Sequence, residues 1–374
     1  MPLADRTEEA RSWVLDLLAG RAGPAPEELR PTLLPILRLH RLESLAWWEA
    51  DPGWTALEGA ARAVAVRNGV LLEAVAGARS DLAAVGVASL VFKGAALLLD
   101  RVYPSPGARP MDDADLLVRP AQASLAAAAL QRYGFQPWRP WSDRLPEWAD
   151  SLPFEGTGAP VPVTLDLHWR TEYGRMRFGS GDSPLWTAAG GDRPVPPPET
   201  HLIVVVEHVL KHLRVGAHLL GVADAARLAT RVRDWDEVVR VGGARRSAPG
   251  VAALLAALSA ELGAPIPAEV PPRLQRTAGG RGDGSWVGIG SWVGRQPSPA
   301  RRWSGLGQRI RMAATPGRAW EELRETAFPD ARWLRARYDS GAPVPALWAR
   351  YAWASLRWLV AGGRSPLDPP GPVA

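Results

Sequence analysis

The sequence predicts an α+β fold in which a mixed β-sheet with flanking helices lies between helical regions at both ends of the chain. Short apolar or alternating runs bounded by turn residues are typical of strands, and three such stretches occur in the middle of the chain. They are the apolar run Ala88–Phe92, which ends at Lys93-Gly94 and precedes a helix-like segment; the run 116–118, which Asp113-Ala-Asp115 precedes; and the alternating residues 161–168.

Five regions are predicted along the chain. Helical periodicity fills residues 8–85, and the Pro196-Pro-Pro198 run marks the end of the part that carries the strands. Within that part, residues 138–160 are predicted to form a loop or irregular hairpin. The regions are an N-terminal helical region (1–86), the central core (87–195), a helical bundle (196–270), a Gly/Arg/Ser-rich linker (271–300) and an Arg/Trp-rich helical C-terminal region (301–374).

The composition limits the class of protein. The 374 residues include no cysteine, which excludes a disulfide framework and a thiolate metal site. The N-terminus carries acids where a secretory signal needs positive charge, and no apolar run has the length of a membrane span. We therefore expect a cytoplasmic protein without a transmembrane segment. The net charge of +5 fits an anionic ligand such as a nucleotide and does not require a nucleic-acid groove.

Three aspartates form a predicted metal site. Side chains two positions apart on a strand share a face, so Asp113 and Asp115 should project together. The alternation of 161–168 places Asp166 on the polar face of its strand. Converging carboxylates repel unless divalent cations neutralise them, and Mg²⁺ prefers carboxylate and phosphate oxygens. We expect Mg²⁺ or Mn²⁺ here, as two ions about 3.5–4 Å apart. Taken alone, an Asp-x-Asp pair is more often simply solvated.

A glycine turn beside these aspartates is predicted to hold phosphate. Gly94 allows close backbone approach, and a helix that starts at Ala95 directs free N–H groups at an anion. Of 44 basic residues only Lys93 and Lys211 are lysines, which indicates that a compact ammonium is wanted in this turn. The alternative is an ordinary surface lysine. His168 and Trp169 are predicted to pack beside the site.

In these residues the sequence resembles the uncharacterised bacterial nucleotidyltransferase family of the DNA polymerase β-like superfamily. The matching motifs are LVFKGAALLLDRVY, RPMDDADLLV and LDLHWR, and the likeness extends over about residues 60–265, through HLIVVVEHVLKHL and GVADAARLA. The chain departs from the family pattern at two positions. Asp112 stands where the family commonly has glycine, and Ala114 where it commonly has isoleucine.

The resemblance implies a fold, an activity and a set of site residues. The sheet would be a polymerase β-like core, and the protein a transferase that moves NMP from an NTP to an acceptor, such as a small molecule, sugar, peptide or protein made by a biosynthetic gene cluster. Asp113, Asp115 and Asp166 would be both catalytic and metal-binding. Lys93 and Gly94 would form the phosphate turn, and Arg109 would lie near the nucleotide.

Other interpretations stay open at this point. His208 and His212 have the i, i+4 spacing of zinc-binding helices, but the sequence lacks the His-Glu-x-x-His motif. Asp112 adds a fourth carboxylate, which would suit an inactive nucleotide-binding or scaffolding protein of the same fold. The Arg/Trp-rich region 301–374 would suit an RNA- or membrane-surface-binding module; a structural cap on the helical domain is the simpler interpretation.

Overall fold

The structure is a computed structural model that describes residues 3–137, 151–156, 161–171, 185–186, 194–213, 219–245, 247–277, 288–293, 334–335, 338 and 341–361. In these residues the α-helices are α1 (Leu3–Leu18), α2 (Arg30–His40), α3 (Glu43–Glu49), α4 (Thr55–Ala84), α5 (Lys93–Leu99), α6 (Ala123–Arg132), α7 (Pro198–Leu213), α8 (Leu220–Ala229), α9 (Trp235–Gly243), α10 (Ala248–Leu262), α11 (Val270–Thr277) and α12 (Val344–Ala361). Short 3₁₀ turns occupy Pro120–Gln122 and Ile289–Trp292.

A mixed five-stranded sheet lies between these helices, as the sequence predicts. Its strands are β1 (Ser89–Phe92), β2 (Ala114–Val118), β3 (Phe135–Pro137), β4 (Ser151–Gly156) and β5 (Val163–His168), in the order β1-β2-β5-β4-β3. Neighbouring strands are antiparallel except β2 and β5, which run parallel. β4 falls within the predicted loop or hairpin 138–160, of which residues 138–150 and 157–160 lie outside the described residues.

The sheet buries both faces, but the two faces have different neighbours. Val91, Leu116 and Leu165 belong to the main core, which also contains buried residues from the helices α1 to α11. On the opposite face Phe92 and Leu117 form a smaller cluster with Val204 of α7. Because successive strand residues point to opposite faces, Asp115 shares the face of this smaller cluster.

The long helix α4 shows why the N-terminal helices pack against the sheet. Its buried residues Leu71, Val75, Ala78 and Leu82 are spaced by four, three and four positions, which places them on one side of the helix. This stripe joins the same core as Leu116 and the other apolar residues of the sheet. The helix therefore supports the sheet on the face away from Asp115.

The predicted division into five regions stays a prediction. The helix α11 continues past the expected start of the linker at residue 271, and Ile289 beyond it is buried. Residues 301–333 of the Arg/Trp-rich region lie outside the described residues, whereas α12 within it is helical. Among the helices that the structure describes, none has both the length and the hydropathy needed to cross a bilayer.

Candidate active site

The pairing of β2 with β5 brings two of the predicted aspartates side by side. The two strands run parallel, and Asp115 and Asp166 are direct partners in the register. Asp115 is buried and Asp166 is half-buried. Directly opposed residues on paired strands have neighbouring side chains on one face. The two carboxylates are thus fixed close together by the backbone of the sheet.

His168 completes this group, although the sequence analysis expected it only to pack nearby. Its Nε2 atom lies 2.9 Å from Asp115 Oδ1 and 2.9 Å from Asp166 Oδ2. Its side chain is fully buried, edge-on against the Phe92 ring. One ligand atom from each of Asp115, Asp166 and His168 lies within 4.8 Å of the others. The alternation of β5 already placed His168 on the face of Asp166, and that was the available signal.

Lys93 reaches the carboxylate of Asp115 from the start of α5. Its Nζ donates to Asp115 Oδ1 at 2.6 Å, and both side chains are buried. The backbone of Lys93 has φ 52°, in the left-handed region that residues with a side chain seldom adopt. We call Lys93, Asp115, Asp166 and His168 the strand-face cluster. The structure therefore joins the predicted phosphate turn to the predicted metal site.

The charges in the strand-face cluster depend strongly on one another. Burial alone would raise the pKa of Asp115, but the Lys93 ammonium and the hydrogen bond from His168 hold it below its ordinary value. Burial likewise opposes protonation of His168, yet Asp166 and Asp115 raise its pKa to about 10. Without a bound cation, an ammonium and an imidazolium therefore neutralise the two carboxylates.

Asp113 lies at the solvent side of this cluster. It precedes β2 by one residue, and solvent reaches its side chain. The pKa of Asp113 is raised to about 7 because surrounding protein displaces part of its hydration and because Asp115 and Asp166 repel a further negative charge. Lys93 opposes this rise only in part. A further positive charge near Asp113 would therefore lower this pKa and favour the ionised carboxylate.

Asp112, the fourth carboxylate of this segment, is engaged elsewhere. It forms ion pairs with Arg41 and Arg67 of the N-terminal helical region, and Arg67 also donates to its backbone oxygen at 3.1 Å. Asp112 is exposed and does not belong to the strand-face cluster. Its presence gives no reason to expect a disrupted metal site.

Arg109, the predicted nucleotide residue, lies in a buried ion pair. Its Nε and Nη2 donate to the two carboxylate oxygens of Asp224 on α8, at 2.9 and 2.8 Å. Its guanidinium covers Gly94, where an added Cβ would stand less than 3.0 Å from two guanidinium atoms. A side chain at position 94 would therefore force the Arg109 guanidinium to move. The family-like sequence GVADAARLA contains Asp224, but sequence reasoning assigned it no partner.

Two buried atoms of the strand-face cluster have no hydrogen-bond partner among the residues that the structure describes. They are Asp166 Oδ1 and His168 Nδ1. The other carboxylate oxygen of Asp166 also accepts from Ser151 Oγ at 3.2 Å. Buried polar atoms are normally satisfied, so an unpaired carboxylate oxygen beside a second carboxylate suits a cation. Carboxylate oxygens and an imidazole nitrogen, about 3 Å apart, form a donor set that divalent ions of the Mg²⁺ or Mn²⁺ type accept.

The zinc alternative depends on His208 and His212 of α7. His208 is half-buried, and the side chain of His212 lies outside the described residues. In the part of the chain that the structure describes, metal-ligand geometry occurs at Asp115, Asp166 and His168. The geometry thus favours an oxygen-rich site on the sheet.

Comparison with known proteins identifies the family. Residues 32–260, more than half of the chain, match the model of a family described as uncharacterised nucleotidyltransferase. The chain belongs to this family. The match confirms the family expected from the motifs, and it spans the sheet, the strand-face cluster and Asp224. No curated protein and no solved structure matches the sequence. In a nucleotidyltransferase, the pair of Asp115 and Asp166, which suits a cation, is the candidate active site.

Proposed function

We propose that this protein is a Mg²⁺-dependent nucleotidyltransferase that transfers NMP from an NTP to an acceptor hydroxyl, carboxylate or phosphate. The observation that carries the proposal is the register of β2 and β5, which opposes Asp115 to Asp166 on the face beside the Lys93–Gly94 turn. Membership of a nucleotidyltransferase family supports the reaction class. We expect the acceptor to be a small molecule, sugar, peptide or protein.

Each aspartate has a proposed task. Asp115 and Asp166 would hold a divalent cation at the strand-face cluster, and Asp113 would complete the site from the solvent side. Bound Mg²⁺ would supply charge that stabilises the attacking and leaving oxygens. The acceptor oxygen attacks the α-phosphorus, and the bond from that phosphorus to the pyrophosphate oxygen breaks; where the acceptor is a hydroxyl, its proton passes to a carboxylate.

The two cationic side chains of the cluster have a second proposed task. Lys93 and His168 already lie against the carboxylates that would receive the cation. With a cation held by Asp115 and Asp166, the Lys93 ammonium would pair with the triphosphate, and His168 would act as a ligand in its neutral form. The Lys93 ammonium and the cation would then offset the negative charge that develops on the leaving pyrophosphate oxygen.

A pyrophosphate-release assay tests this proposal. The protein is incubated with each NTP, with Mg²⁺ or Mn²⁺, and with panels of hydroxyl, carboxylate and phosphate acceptors. We expect acceptor-dependent release that Asp115→Asn and Asp166→Asn abolish.

Asp112→Asn is the matched control, because Asp112 lies in the same segment but pairs with Arg41 and Arg67. It should retain turnover. The proposal is wrong if Asp166→Asn turns over at the wild-type rate, or if wild-type protein neither binds any NTP nor releases pyrophosphate.

A further inference from the structure

The backbone of the Lys93–Gly94 turn is costly to maintain. Lys93 combines a left-handed φ of 52° with a buried side chain and a buried ammonium. A residue with a side chain pays a conformational free-energy cost in this region, which persists only where neighbouring structure enforces it. Neighbouring residues must therefore enforce the conformation that brings Lys93 Nζ to Asp115.

Arg109 contacts the turn from one side. Its guanidinium lies against Gly94, so closely that any larger residue at position 94 would collide with it. The backbone of Arg109 is itself fixed, because Asn68 Nδ2 donates to its carbonyl oxygen at 2.7 Å. On another side, the buried ring of His201 hydrogen-bonds to the backbone of Lys93. The turn is thus held between α7 and the segment that precedes β2.

Asp224 fixes the position of the Arg109 guanidinium. Both of its carboxylate oxygens accept from Arg109, and Tyr103 Oη donates to one of them at 2.6 Å. Asp224 is 3% exposed, so its charge is desolvated and strongly favours this geometry. A bidentate pair of this kind restricts both the position and the plane of the guanidinium.

The alternative task for Arg109 is direct contact with a nucleotide phosphate. All three of its guanidinium nitrogens already have acceptors, since Nη1 donates to the Pro110 carbonyl at 3.3 Å and the other two donate to Asp224. Its charge is balanced by Asp224 in the protein interior. The geometry therefore favours support of the turn over contact with a ligand.

We infer that Asp224 is a positioning residue of the active site: through Arg109 and Gly94 it holds the Lys93 turn so that the Lys93 ammonium lies on Asp115. The catalytic meaning of this arrangement rests on the proposed function. The positioning itself is a property of the protein without any nucleotide. It therefore has a readout that is independent of turnover.

The test uses the small number of lysines. In a Lys211→Arg background Lys93 is the sole lysine, and its acetylation by N-hydroxysuccinimidyl acetate is followed by peptide mass spectrometry on the folded full-length chain. We expect slow acetylation in this background and acetylation about tenfold faster in Asp224→Asn, because the turn opens locally. Unchanged acetylation in folded Asp224→Asn would overturn the inference.

A matched control separates positioning from general loosening. Asp51 is also buried and also pairs with an arginine, Arg30, at 2.9 Å, but within the N-terminal helices. Asp51→Asn should leave the acetylation rate of Lys93 unchanged, and an increase equal to that of Asp224→Asn would contradict the inference. If Asp224→Asn does not fold, Gly94→Ala displaces Arg109 without leaving a charge unpaired and should accelerate acetylation in the same way; an unchanged rate there would overturn the inference.

A nucleotide arm distinguishes this inference from the proposed function. Mg²⁺ with the NTP that supports turnover should slow acetylation of Lys93 in the parent protein and should protect less in Asp224→Asn. If no NTP protects Lys93 but Asp224→Asn still accelerates its acetylation, the proposed function fails and the positioning role stands. If NTP protects both proteins equally and acetylation is unchanged by Asp224→Asn, the positioning role fails and the proposed function stands.

Discussion

Two buried charge clusters lie on either side of the Lys93–Gly94 turn, and they are satisfied to different degrees. In the pair of Arg109 with Asp224, both carboxylate oxygens accept hydrogen bonds, and a tyrosine adds a third. In the strand-face cluster, Asp166 Oδ1 and His168 Nδ1 have no hydrogen-bond partner within the described part of the chain. A cluster that stabilises a fold tends to satisfy its buried polar atoms, whereas a cluster that binds a ligand leaves some for it. We therefore expect the Arg109–Asp224 pair to stabilise the fold, and we propose that the strand-face cluster binds a ligand.

The largest expected effect is on turnover, from a change in the strand-face cluster. Asp166→Asn should lower kcat/KM about 1000-fold, because it removes several kcal/mol of charge stabilisation at the transition state. Its Tm should fall less than that of Asp224→Ala, because the isosteric amide keeps the packing, can still hydrogen-bond to His168, and removes one of two carboxylates that repel each other. Steady-state kinetics and thermal unfolding of the same sample check both parts. A large loss of Tm with normal kcat/KM would reverse the assignment of the two clusters.

A comparably large effect is expected on the free energy of unfolding when the Arg109–Asp224 pair is broken. Asp224→Ala leaves the buried guanidinium of Arg109 without a counterion, and breaking a buried pair in this way costs about 3–5 kcal/mol. Urea denaturation measures the loss in the free energy of unfolding. Asp112→Ala is the control, because its ion pairs are exposed and should contribute at most about 1 kcal/mol. Equal losses in the two variants would show that Asp224 has no special structural role.

A smaller effect on the free energy of unfolding is expected when the pH is lowered. Burial lowers the pKa of His201 to about 4, against the opposing carboxylates of Asp224 and Asp100. Since the unfolded chain binds a proton near pH 6.5 and the folded chain does not until about pH 4, stability falls as the pH drops through this window. From pH 7.5 to pH 5 the wild type should lose about 2 kcal/mol more than His201→Gln. Parallel pH dependences of the two proteins, by urea denaturation, would contradict a neutral His201.

The smallest effect is expected from the loss of a single hydrogen bond in the Arg109–Asp224 pair. Tyr103→Phe removes one donor to Asp224 but leaves both bonds from Arg109. The loss should be about 1–2 kcal/mol in the free energy of unfolding, the usual range for a hydrogen bond to a charged group. A loss as large as that of Asp224→Ala would mean that Tyr103, rather than Arg109, is the main partner of Asp224.

Much of the site follows from local patterns in the sequence. The alternation of β5 places Asp166 and His168 on one face, and the motif order places Asp115 and Lys93 at the ends of neighbouring elements. Two features depend on long-range pairing instead. His168 enters the cluster only because β2 and β5 pair in parallel with Asp115 opposite Asp166. Asp224 reaches Arg109 across 115 positions of the chain, which no local period reveals.

The segment before β2 shows the same limit. The sequence presents Asp112, Asp113 and Asp115 close together, and it indicates no partner for Asp112. The fold separates them, because Arg41, directly after α2, and Arg67, on α4, both pair with Asp112. Likewise, the glycine of the Lys93–Gly94 turn was predicted to allow approach of a phosphate, whereas the structure shows Arg109 against it.

Direct titration with Mn²⁺, followed by electron paramagnetic resonance of the free ion, tests the central claim most directly. Mn²⁺ is a probe for the same oxygen-rich sites as Mg²⁺ and needs no knowledge of the acceptor. Saturable binding by the wild type and by Asp112→Asn, with at least tenfold weaker binding by Asp115→Asn and Asp166→Asn, is the predicted result. Equal Mn²⁺ binding by all four proteins would contradict a cation site on the opposed strands.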